Sequence, residues 1–95
     1  MRIIAKSTLR NFWNNHPAAE QALRAWYEEA KKAEWNRFQD IKKQFGTASI
    51  VGNDRVVFNF KGNNYRLVVL FRRGKAFIRF VGTHKEYDKI DAKNI

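Results

Sequence analysis

The stretch NYRLVVLFRRGKAFIRFVGTHKEYD, Asn64 to Asp88, holds two runs of β-branched, aromatic and aliphatic residues around a tight Arg73-Gly74 turn. Tyr65 to Arg72 and Lys75 to Val81 are predicted as antiparallel strands. Working outward, Arg55 to Phe60 alternates cleanly, and Lys61-Gly62-Asn63-Asn64 predicts a second hairpin turn. Ala48 to Val51, before the Gly52-Asn53-Asp54 turn, can begin a further strand. These segments make an antiparallel meander.

Two-residue turns at Gly62-Asn63 and Arg73-Gly74 set a register. Phe60 faces Tyr65, Asn59 faces Arg66 and Phe58 faces Leu67. Across the second turn Phe71 faces Ala76, Leu70 faces Phe77, Val68 faces Arg79 and Arg66 faces Val81. Side chains alternate between faces. One face then holds Val56, Phe58, Phe60, Tyr65, Leu67, Val69, Phe71, Ala76, Ile78 and Phe80, and reads as core. The other holds Arg55, Val57, Asn59, Lys61, Asn64, Arg66, Val68, Leu70, Arg72, Lys75, Phe77, Arg79 and Val81, with Arg66 and Arg79 diagonally adjacent near the middle of an open face. Paired guanidinium forks suit a phosphate; the bland account is two solvated arginines. A bulge beside either turn would change this register.

The remainder supplies cover for the core face. Arg2 to Ala5 is a short candidate edge strand. Ser7-Thr8 offers a cap for a helix whose apolar face is Leu9, Phe12 and Trp13. His16-Pro17 ends it, His16 being a local turn residue, and Pro17 can open a longer helix. There Leu23, Trp26, Tyr27, Ala30, Phe38 and Ile41 keep a helical period, with a change of direction near Asn36, and Trp35 fits less well. The expected fold is α+β: a small antiparallel β-sheet covered on one face by two N-terminal helices, a single domain over residues 1–95.

Composition bounds the function. The chain has 19 Lys+Arg, 9 Asp+Glu and a net charge of +10. From Lys42 to Lys85 ten basic residues face one acidic residue, Asp54. Such an excess favours a polyanionic partner, nucleic acid or an acidic protein segment. The longest apolar run, Leu67 to Phe71, is five residues, far short of the roughly 20 a membrane span needs. Without cysteine there is neither a disulfide framework nor a thiolate metal site. The chain reads as soluble and cytoplasmic, with no membrane partner.

Thr83-His84-Lys85-Glu86-Tyr87-Asp88 has capping-box spacing, so a short helix starts there. A cap accounts for Thr83 and Glu86 but does not require His84, Lys85 or Tyr87. His84 and Tyr87, at i and i+3, share one side of that turn. Histidine is the side chain best suited to exchange protons near neutrality, although a lone histidine is more often structural.

The blocks Gly62-Asn63-Asn64-Tyr65-Arg66-Leu67, Phe77-Ile78-Arg79-Phe80-Val81 and Thr83-His84-Lys85-Glu86-Tyr87-Asp88 resemble the HigB family of toxins from type II toxin–antitoxin systems, within the RelE/ParE superfamily. The likeness runs from about Trp35 to Ile90. It implies a RelE-like fold and an mRNA endonuclease (mRNA interferase) that acts on ribosome-bound message and inhibits translation. It further implies contacts with 16S rRNA and neutralisation by a HigA-type helix-turn-helix antitoxin, with operator DNA reached only through that antitoxin. Cleavage in this superfamily needs no metal and no cofactor: the ribose 2′-hydroxyl attacks the adjacent phosphate. On this chain the resemblance assigns Arg66 and Arg79 to the phosphate and His84 to proton transfer, with Lys85 and Tyr87 assisting. Lys61, Asn64, Arg72, Arg73, Lys75 and Phe77 are the expected RNA contacts. Two other readings stand beside it: a gyrase-targeting toxin of the same fold, and a non-catalytic RNA- or ribosome-binding domain.

Overall fold

The computed structural model describes residues 1–60 and 64–95. The Gly62-Asn63 turn and the RNA contact expected of Lys61 lie outside the described residues. The architecture is α+β. Strand β1 (Arg2–Ile4) leads into helix α1 (Lys6–Asn15), a 3-10 turn (Pro17–Ala19), α2 (Glu20–Lys32) and α3 (Phe38–Gln44). The meander follows as β2 (Ser49–Gly52), β3 (Arg55–Phe60), β4 (Tyr65–Arg72) and β5 (Lys75–Thr83), and a one-turn helix α4 (His84–Tyr87) comes next. The strand order is β1-β5-β4-β3-β2. β1 is an edge strand, as expected, but it runs parallel to β5, so the sheet is mixed rather than wholly antiparallel.

One local difference from the sequence reading has a clear cause, and the change of direction expected near Asn36 is present. No Ser7 or Thr8 side chain caps α1; Ala5 occupies the cap with φ 76°, because the chain must reverse from β1 into α1 across a single residue. The long second helix is broken. Its C-terminal cap, Ala33, is extended, and α3 restarts once Asp40 Oδ2 accepts from the backbone N–H groups of Asn36 (2.9 Å) and Arg37 (3.1 Å). Those two donors hold the Asp40 carboxyl below the usual carboxylate range. Trp35 sits in this break as a buried plug. Its Nε1 donates to Gln44 Oε1 at 2.9 Å and its ring meets Phe45, Phe58 and Phe71.

The main core lies between α1–α3 and one sheet face. Leu9, Trp13, Leu23, Trp26, Ala30 and Ile41 pack there against Val56, Phe58, Leu67, Val69, Phe71, Ala76 and Ile78. The β3–β4 register is the expected one throughout. Across β4–β5 it holds from the Arg73-Gly74 turn, where both residues have φ near that of a type I′ turn (53° and 73°), as far as Val69 opposite Ile78. Beyond that it shifts: Val68 faces Phe80, Leu67 faces Val81 and Arg66 faces Gly82. Arg79 is the extra, bulged residue.

The bulge exchanges two side chains relative to the expectation. Val81 packs with the helix-side core, while Phe80 turns to the second face and joins Val57, Val68 and Tyr87. That second face is not open either. Ile90, Ala92 and Ile95 fold back over it, leaving Val57 at 3% and Val68 at 0% exposure. The sheet is thus covered on one face by helices and over part of the other by the segment after α4.

Gly82 marks the tightest point of this arrangement. A Cβ there would lie 2.6 Å from Phe80 Cζ and 3.1 Å from Glu86 Oε1. Gly82→Ala is therefore expected to destabilise the fold by about 1–3 kcal/mol through overpacking, measured by denaturant unfolding. An unchanged midpoint would mean that Phe80 is not anchored on the second face.

Candidate functional site

The expected site residues fall into separate groups. At the α4 end of the sheet the chain gathers Asn64, Arg66, His84, Lys85 and Tyr87. The backbone N–H of His84 donates to the Asn64 carbonyl at 3.0 Å, tying α4 to the start of β4. Arg66 faces Gly82 in the ladder, so its side chain rises beside α4. There its Cζ lies 5.7 Å from the centre of the Tyr87 ring, within cation–π reach. Arg66 is 8% exposed, an unusual burial for a guanidinium.

α4 exists because of its cap. Thr83 N donates to Glu86 Oε1 at 2.8 Å, and Glu86 N donates to Thr83 Oγ1 at 3.2 Å. The capping box read from the sequence is present. It fixes the orientation of the helical turn that carries His84, Lys85 and Tyr87.

One partner in this cluster was missed by the sequence reading. His84 Nδ1 lies 3.0 Å from Asp88 Oδ2, with both side chains about half exposed. A carboxylate only accepts hydrogen bonds, so Nδ1 is the donor and Nε2 of the neutral ring carries the free lone pair. The available signal was the His84-x-x-x-Asp88 spacing, which places both side chains on one face of a helical turn.

Arg79 stands apart from Arg66. It is the bulged residue, three positions before Gly82, which is the residue opposite Arg66. Its Nε donates to the main-chain oxygen of Ile95 at 3.2 Å. Arg55 donates to that same oxygen from Nε (3.1 Å) and Nη2 (2.5 Å). The structure thus joins Arg79 to Arg55 through the Ile95 oxygen.

Arg72, Arg73, Lys75 and Phe77 form the third group, around the β4–β5 turn at the opposite end of the sheet. With Leu70 they line an open cavity of about 360 Å³. The eight residues of β4 separate it from the α4 end, roughly 23 Å at strand rise. Arg72 is partly neutralised by Asp54 at 2.9 Å. His16, the other histidine, stacks on Phe12 at 4.1 Å and makes the local turn contact expected of it.

Among the described residues no group of three His, Cys, Asp or Glu side chains could hold a metal ion. No helix among them is long and apolar enough to cross a membrane.

The cap has a pH signature. The Thr83 N–H holds the Glu86 carboxyl below the usual carboxylate range. A depressed folded-state value adds stability above the unfolded value, roughly 4.3, and that stability is lost as pH falls through the folded value. Glu86→Ala is expected to lower the melting temperature at pH 7, by a small amount since the group is exposed to solvent. The difference from the parent should narrow below about pH 4. A difference independent of pH would show that the carboxylate does not hold the cap.

The model of the HigB toxin family, described as the RelE-like toxic component of a toxin-antitoxin system, matches residues 19–90. The match spans α2 to α4 and takes in Arg66, Arg79, His84, Lys85, Tyr87 and Asp88. No curated protein sequence matches the chain. With well over half of its length inside that match, and with an α+β fold of the RelE-like kind, the chain belongs to the HigB toxin family of toxin–antitoxin systems.

Proposed function

We propose that this toxin is an endoribonuclease that cuts mRNA on the ribosome, with its reaction centre at the α4 end of the sheet. The observation that carries the reading is the His84–Asp88 pair at 3.0 Å on a capped helical turn, beside the Arg66–Tyr87 contact. A base oriented by a third group, next to a buried cation, is what attack by a 2′-hydroxyl needs.

In this reading the 2′-oxygen loses its proton and bonds to the adjacent phosphorus. The bond from phosphorus to the 5′-oxygen breaks, and that oxygen leaves with a proton. The products are a 2′,3′-cyclic phosphate and a 5′-hydroxyl. His84 Nε2 carries one of the two proton transfers, and the other falls to Lys85 or Tyr87. Arg66 supplies positive charge from beneath the Tyr87 ring, where low local dielectric strengthens its field on the phosphorane. Asp88 is a positioning residue that acts through His84.

The α4 end also offers Asn64 to the RNA, and the net charge of +10 favours message and 16S rRNA alike. The family places an antitoxin partner beside the toxin; a HigA-type helix-turn-helix protein, which alone would contact operator DNA, fits the resemblance. The proposed compartment is the cytoplasm, where translating ribosomes are.

Cleavage rates of single variants test the centre. His84→Ala is expected to lose about 10²–10⁴-fold, the scale of a general acid or base, without a change in melting temperature. Asp88→Asn should lose less and should alter the pH–rate profile, since it changes which imidazole nitrogen holds the proton. Full activity in both variants would remove His84 from the chemistry. Toxicity without any cleavage, accompanied by a DNA-damage response, would favour a gyrase-directed toxin instead.

A further inference from the structure

Three guanidinium N–H groups converge on one oxygen in this fold. Arg55, on β3, donates twice to the main-chain oxygen of Ile95, and Arg79, the bulged residue of β5, donates once. Three charged donors from two arginine forks on one oxygen form the arrangement with which such forks grip an oxyanion. Arg79 is exposed and Arg55 half-buried, so the pair is accessible from solvent.

The surroundings extend the same chemistry. Arg55, Leu70 and Phe77 stand side by side in one row of the ladder. The cavity lined by Leu70, Phe77, Arg72, Arg73 and Lys75 therefore opens next to the Arg55–Arg79 pair. Its volume of about 360 Å³ is small, its floor is apolar with one aromatic ring, and its rim is basic. A nucleoside with phosphates on either side has that combination: a flat base for the floor and anions for the two groups of cations.

We propose that Arg55 and Arg79 bind a phosphate of the RNA strand away from the scissile one, and that the Ile95 oxygen occupies this site when RNA is absent. This rests on the RNA reading above and deepens it. The substrate strand leaves the α4 end, places a phosphate between Arg55 and Arg79, and lays the next nucleoside over Phe77. The segment that carries Ile95 then competes with RNA for the arginines.

The test uses a labelled single-stranded oligonucleotide that is 2′-O-methylated throughout, so attack by a 2′-hydroxyl cannot cut it. Binding is followed as a function of salt for the parent, for Arg55→Ala, for Arg55→Lys and for the chain shortened by Ile95, with melting temperatures as folding controls. Arg55→Ala should weaken binding about tenfold and reduce the slope of log K against log salt by about 1. Arg55→Lys, which keeps the charge but not the fork and covers the case in which the alanine variant fails to fold, should fall between. The shortened chain should bind several-fold more tightly, because its competitor is gone.

Equal affinity and slope in parent and Arg55 variants would overturn the proposal. So would weaker binding by the shortened chain, which would make the two arginines a clamp for the covering segment alone. Arg55-dependent binding of an acidic peptide in place of the oligonucleotide would overturn it as well. The nuclease reading fails on different evidence: a parent that binds the oligonucleotide through Arg55 but leaves mRNA on translating ribosomes uncut would keep this site and lose that activity.

Discussion

One extra residue in β5 governs the functional side of the molecule. At Arg79 the ladder between β4 and β5 slips by one position, and everything downstream is turned over relative to a regular hairpin. Phe80 moves to the second face, Val81 takes its place against the helices, and Gly82 arrives opposite Arg66. A residue with a Cβ would collide with the displaced Phe80 ring at that position. The bulge thus sets the angle at which β5 delivers the Thr83–Glu86 cap, and with it His84 and Tyr87.

The second constraint is the hydrophobic content of the face away from the helices. Val57 and Val68 are shielded there by Phe80, Tyr87, Ile90, Ala92 and Ile95. Full burial of one such side chain contributes roughly 1.5–3 kcal/mol. This holds the segment after α4 against the sheet, and Asn53 anchors it further by donating to the Lys93 carbonyl at 3.0 Å. Cover over part of the face leaves the remainder as a basic cavity at the β4–β5 turn. The boundary between the two is the Arg55–Ile95–Arg79 contact.

Much of this was legible in the residues. Alternation in Arg55 to Phe60 and Tyr65 to Arg72 made the strands and their pairing readable, because period-2 patterning with one face buried leaves little freedom of register. The Thr83-x-x-Glu86 spacing gave α4. The bulge was not legible, since Phe80-Val81 is apolar at both positions and satisfies either register. The cover over the second face had a readable signal: Val57, Val68, Leu70, Phe77 and Val81 are too many apolar residues for an open face, and Ile90, Ala92 and Ile95 were there to meet them. Arg55 shared a face with Arg79 in the expected register, but nothing local placed the Ile95 oxygen between them, whereas the His84-x-x-x-Asp88 spacing was a readable signal. The parallel pairing of β1 depended on a long-range contact that local patterning does not encode.

The functional account joins a family assignment to a geometry. Under the proposal, the oriented histidine at one end of the sheet acts at one point on a polyanion that the arginines leading away from it hold. The most direct measurement is to map the 5′ ends of a reporter message in a translating cell-free extract containing the purified chain. New ends bearing a 5′-hydroxyl, absent with His84→Ala and prevented by a single 2′-deoxy substitution at the cut position, are the predicted result. An intact message while translation stops would contradict the account and leave a toxin that acts by binding alone.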